Sequence, residues 1–125
     1  MKLSLPEVTF ALAIALAVMA ASWFGLSQAL GAHPWWAQRT GLIGAPIGCL
    51  LFLTLRACRI DAKWIALVAL VVLIVAAIVA NLSKSIFVNA EGFNATAGRN
   101  WFVSWITIWA CVALLFPTVF AARIK

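Results

Sequence analysis

Charged side chains are so sparse in this 125-residue sequence that they divide it into four long uncharged runs, residues 8–38, 40–55, 64–83 and 100–122. A helix rises about 1.5 Å per residue and needs about 20 residues to cross about 30 Å of hydrocarbon, so the first, third and fourth runs are long enough to span a membrane. The second has 16 residues. It qualifies if Arg39 and Arg56 snorkel to the headgroups and Trp35 and Trp36 extend it at one end. Gly41, Gly44, Pro46 and Gly48 weaken that helix, which leaves a re-entrant segment as the alternative. The expected architecture is an all-α integral membrane protein: one membrane domain, residues 1–125, with helices at about 6–30, 37–57, 63–83 and 101–122. Composition agrees, since 66% of residues are hydrophobic and only 10% charged, against about 25% charged in soluble domains. A water-soluble fold is not expected, nor is a large catalytic domain outside the membrane within these residues.

The net charge of +6 is first an orientation signal, and nucleic acid is not an expected partner. Four spans put Lys2, Arg56, Arg59, Lys63, Arg123 and Lys125 on one side and Arg39, Lys84 and Arg99 on the other. Basic residues accumulate on the cytoplasmic side, so both termini are expected inside. Lys2 and the segment "AVMAAS" resemble a signal peptide, but apolar residues continue through Trp23, Phe24 and Leu26, which favours an uncleaved helix. Pro6 suits its first turn, and Glu7 suits the positive end of its dipole.

The second and fourth spans end alike. Residues 50–60 read "LLFLTLRACRI" and residues 114–124 read "LLFPTVFAARI", identical at seven of eleven positions with an offset of 64. The match suggests two tandem helical hairpins in parallel orientation, with chance similarity of apolar helix ends as the alternative.

At about 100° per residue, the fourth span separates into two faces. Trp101, Trp105, Trp109, Phe116 and Phe120 form a bulky aromatic face, whereas Ser104, Thr107, Cys111 and Thr118 form a small, weakly polar one. Small residues let membrane helices approach closely, so the small face is expected to pack internally and the aromatic face to meet lipid, a partner protein or an aromatic ligand. Gly44 and Gly48, spaced four apart, are expected to mark a tight crossing of the second span. The third span carries only apolar side chains from Trp64 to Ala80.

No acid lies deep in any run, and Glu7 is expected at an interface, unlike the embedded acid of four-helix multidrug exporters. His33 is the single histidine and precedes Pro34 in an expected external turn, where an interfacial structural role is favoured over ligation. Cys49, Cys58 and Cys111 form no C-x-x-C pair and read as small apolar residues. These residues supply no catalytic set, no metal site and no cofactor site, and no enzyme is expected. Residues 84–100 form the one irregular segment, with Asn89, Glu91, Asn94 and Arg99 as candidate external contacts and Phe87 and Phe93 as packing groups.

The stretch 89–125, with Trp101, Trp105, Trp109, Phe116-Pro117 and Arg123, resembles a group of small bacterial inner-membrane proteins built from a two-helix unit, with a fainter echo in the first half. The resemblance implies a bacterial inner-membrane location and duplication, but no mechanism, since those families have no established activity. The functional expectation is a non-catalytic accessory or assembly subunit of a larger membrane complex. Its partners would be the lipid bilayer and other membrane subunits or further copies of itself. The alternative is a small oligomeric channel or transporter for an apolar or neutral solute.

Overall fold

Helix α1 starts where local hydrogen bonding permits it. Ser4 is its N-cap: the Glu7 amide donates to Ser4 Oγ at 3.4 Å while the Ser4 amide donates to Glu7 Oε2 at 3.0 Å, a capping box with Pro6 in the first turn. α1 covers Leu5–Trp23. It stops because Gly25 takes the left-handed region, φ 98°, a conformation that only glycine adopts without cost. A single turn, α2, covers Leu26–Ala29, and the chain reverses to α3, Ala37–Ala57. The expected first helix is therefore broken before residue 30. These are the elements of a computed structural model that describes residues 3–92 and 94–123. Lys2, Phe93, Ile124 and Lys125 lie outside the described residues.

α3 ends with the Ile60 amide donating to the Leu55 carbonyl and the Arg59 amide to the Arg56 carbonyl, a Schellman closure. Arg59 occupies its left-handed position, φ 64°, where glycine is the usual resident. Asp61 then caps α4, Ala62–Asn89, by accepting from the Lys63 amide at 3.2 Å. The chain leaves α4 at Ala90, and α5, Ala95–Arg123, begins under Asn94, whose Oδ1 accepts from the Ala97 amide at 3.0 Å. The expected irregular segment 84–100 is thus mostly helix. Asn89 ends α4, Arg99 lies in α5, Asn94 is spent on capping, and Glu91 remains in the turn.

Four helices, α1, α3, α4 and α5, are long and apolar enough to cross a membrane, and the protein is an all-α membrane protein. α1 and α3, with 19 and 21 residues, run about 28 and 31 Å. α4 and α5, with 28 and 29 residues, run about 42 and 43 Å. One hairpin is therefore taller than the other. Pairing of Glu7 with Arg56 and of Phe10 with Phe120 brings the start of α1 and the ends of α3 and α5 together at one end of the bundle. The opposite, distal end holds α2, residues 30–36 and the overhang of the taller hairpin.

α5 is the central element and packs against α1, α3 and α4. Its contact with α3 depends on glycine. A Cβ at Gly44 would stand 2.6 Å from the Ile106 carbonyl oxygen and 2.8 Å from Trp109 Cβ, and one at Gly48 would stand 2.8 Å from Ala113 Cβ. α4 meets α5 through Ala62, Ala69, Ala76 and Ser83, all buried and seven residues apart, with Ile65 and Ala80 between them. This seven-residue spacing keeps one narrow stripe facing its neighbour. Most of the rest of α4, including Leu67, Val71, Ile74, Val75 and Ile78, is exposed.

Candidate functional site

Membrane burial leaves few polar groups in the bundle, and each must find a partner inside the protein. Two clusters meet this demand. At the termini-proximal end, Arg56 Nε donates to Glu7 Oε1 at 2.7 Å, with both side chains buried. Glu7 Oε2 accepts from the Ser4 hydroxyl and amide, and Arg56 Nη1 donates to the Ile60 carbonyl at 3.1 Å. Arg56, expected to snorkel to the headgroups, is instead enclosed against Glu7 at the first turn of α1. The two are 49 residues apart in sequence and lock α1 to the end of α3.

The second cluster closes the turn between α1 and α3. Ser22 Oγ lies 2.9 Å from the Gln38 carbonyl, 3.1 Å from the Ala37 carbonyl and 3.1 Å from Ser27 Oγ, and accepts from the Gly41 amide at 3.0 Å. Thr40 donates to the Ala37 carbonyl at 2.7 Å, and Trp109 Nε1 donates to Ser27 Oγ at 2.8 Å. A side chain at Gly41 would collide with Ser22. Gly41 is thus fixed by a polar knot as much as by helix packing.

That last hydrogen bond belongs to a larger correction. The aromatic face of α5 is not a lipid surface over most of its length. Trp101, Trp105 and Trp109 are 4%, 7% and 6% exposed. Ala77 and Ala80 of α4, together with the one-turn α2, leave space for the indoles, and Ser27 satisfies one of their N–H groups. Of the predicted face only Phe116 is exposed, while Phe120 stacks on Phe10 with centroids 4.3 Å apart. The small face is also inside at Ser104, Cys111 and Thr118, with Thr107 half-buried. Assigning one face inward fails for α5 because it has neighbours on three sides.

Two of the concave surfaces among the described residues bear on function. The first is a lateral groove of about 560 Å³ between α3 and α4. Ile47, Leu51 and Leu55 form one wall and Trp64, Val68 and Val72 the other, with Ala110, Cys111 and Leu114 of α5 on the floor. Thr107 borders it, but its hydroxyl is spent on the Val103 carbonyl at 2.9 Å. The second is a distal chamber of about 360 Å³ bounded by His33, Trp35, Trp36, Phe87, Trp101 and Phe102, with Arg99 and Gly98 in its lining. It forms where residues 33–36 meet the overhang of α4 and α5. The sequence put His33 in a turn and Phe87 and Arg99 in a loop, and gave no sign that they would converge.

No three His, Cys, Asp or Glu side chains come together among the described residues. Compared with protein-family models, with curated proteins and with solved structures, the chain matches none.

Proposed function

We propose that the protein is a non-catalytic accessory or assembly subunit that docks against a larger membrane complex through the lateral groove between α3 and α4. The observation that carries this reading is the shape of that groove. An apolar helix face alone is the ordinary condition of a membrane protein, because lipid tails are as apolar as leucine. A concave seam whose lining includes the small residues Ala69, Ala110 and Cys111 is different, since small residues admit a neighbouring helix to close range. α4 is anchored chiefly on α5 and has most of its circumference uncovered, which suits an element that gains further neighbours in an assembly. The charge bias supports a setting in which both termini are cytoplasmic.

A photo-crosslinking residue at Val68, exposed on the groove wall, tests the reading in native membranes. One defined membrane protein is expected as the adduct, lost when Leu51→Trp fills the groove. Adducts with lipid alone, or a stable monomer after gentle extraction, would remove the basis for the proposal. An adduct between two copies, with solute flux in liposomes, would replace it with the oligomeric channel reading.

A further inference from the structure

The geometry points to the distal chamber as a binding site for an amphiphilic anion, its apolar body held among the rings and its charged group at Arg99. Interfacial tryptophans are common in membrane proteins as a belt that anchors helices to headgroups. A belt spreads its rings around the outside, whereas these rings converge from three segments. Trp36 stands edge-on to Trp101 at 5.2 Å and meets Phe102 at 5.2 Å, and His33 meets Phe87 at 5.9 Å and Trp101 at 5.5 Å, both edge-on. The Trp35 amide donates to His33 Nδ1 at 3.2 Å, which fixes the imidazole. The walls are therefore set by one another before any ligand arrives. Gly98 contributes by omission, since a Cβ there would lie 3.0 Å from the Phe87 ring. The volume, about 360 Å³, falls within the range of small-molecule pockets, about 300 to 1,000 Å³.

The polar groups decide the sign of the ligand. Aromatic boxes often take cations through the faces of their rings, but this lining includes Arg99. Trp101 also walls an adjoining cavity whose lining includes Lys84, so each of the two cavities it borders has a basic residue in its lining. The Trp101 N–H is buried and has no hydrogen-bond acceptor among the described residues, so the wall holds an unspent donor. Arg39, Lys84 and Arg99 at this end face a single acid, Glu91. An acceptor-bearing anion fits these donors and charges, and a cation does not. Two sources carry this chemistry, a soluble aromatic or branched carboxylate and the headgroup of an anionic lipid.

The test uses the full chain in phosphatidylcholine nanodiscs, with equilibrium dialysis of 2-naphthoate, its neutral analogue 2-naphthylmethanol and the cationic 2-naphthylmethylamine, and protein-free nanodiscs as the partition control. Saturable binding of naphthoate at one site per chain is expected, with the alcohol at least ten-fold weaker and the amine weaker still. Arg99→Gln, a change at an exposed side chain, is expected to weaken naphthoate at least ten-fold with an unchanged melting temperature. Gly98→Leu is expected to abolish binding by driving Phe87 into the chamber. Adding phosphatidylglycerol identifies the source: displacement of naphthoate assigns the site to a lipid headgroup, and undisturbed affinity assigns it to a soluble anion. Binding no greater than in protein-free nanodiscs, an amine that binds as tightly as the acid, or an Arg99→Gln protein of unchanged affinity would each overturn the proposal.

Discussion

Glu7 and Arg56 illustrate how single residues act in this protein. A charge withdrawn from water is costly, and removing one partner of a buried pair leaves the other uncompensated. Arg56→Met is therefore expected to destabilise the protein by about 3 to 5 kcal/mol. The double variant Glu7→Gln with Arg56→Met should recover much of that loss, because the glutamine keeps the Ser4 cap and carries no charge. Unfolding in mixed detergent micelles measures both. Equal losses in the single and double variants would show that packing of the Arg56 stem, not its charge, holds α1 to α3. Trp109 acts on the same principle with a neutral group: its N–H reaches Ser27 across 82 residues of sequence, and hydroxyls already joined to α3 receive it.

Among the elements, the crossing of α3 with α5 has the least tolerance. Backbone atoms of α5 stand where side chains at Gly44 and Gly48 would be, and backbone cannot rotate away as a side chain can. Gly44→Ala should cost about 1 to 3 kcal/mol, the range for forcing extra atoms into a filled interior. Gly48→Leu should separate the helices and abolish the folded form. Val71→Leu, on the exposed side of α4, should leave the unfolding transition unchanged and serves as the control. Retention of wild-type stability by Gly48→Leu would mean that α3 and α5 do not cross as described. The glycine pair was legible in the sequence because spacing of four is a property of one helix. The alanine stripe of α4 was equally local, at residues 62, 69 and 76, yet a uniformly apolar segment hides it unless size is read in place of hydropathy. The faces of α5 were divided correctly into large and small, but the number of its neighbours lies outside its own sequence.

For the whole molecule, the two hairpins pack asymmetrically. α1 contacts both α3 and α5, whereas α4 is held chiefly by α5, and the lateral groove opens between α3 and α4. The segments that match in sequence are buried differently: Phe52 is enclosed and Phe116 exposed, whereas Thr54 and Ala57 are exposed and Thr118 and Ala121 enclosed. Orientation in the membrane follows from the charge bias and is open to direct labelling. With membrane-impermeant thiol reagents on intact cells, Glu91→Cys should react from outside. Exposed native Cys58, at the other end of the bundle, should react only after permeabilisation. The reverse pattern would invert the topology.

The sequence by itself determined that this is a membrane protein of four apolar helices, because the length of hydrocarbon to be crossed and the cost of burying charge act on each segment separately. It also marked Gly44 and Gly48, whose meaning depends on helical spacing alone. Only the tertiary structure decided that Glu7 pairs with Arg56, that the tryptophans of α5 turn inward, and that His33, Phe87 and Trp101 surround one chamber. Those relations join residues that a helix cannot bring together by its own periodicity. They depend on which helices become neighbours and on one hairpin standing taller than the other, and both follow from the packing of all four helices at once.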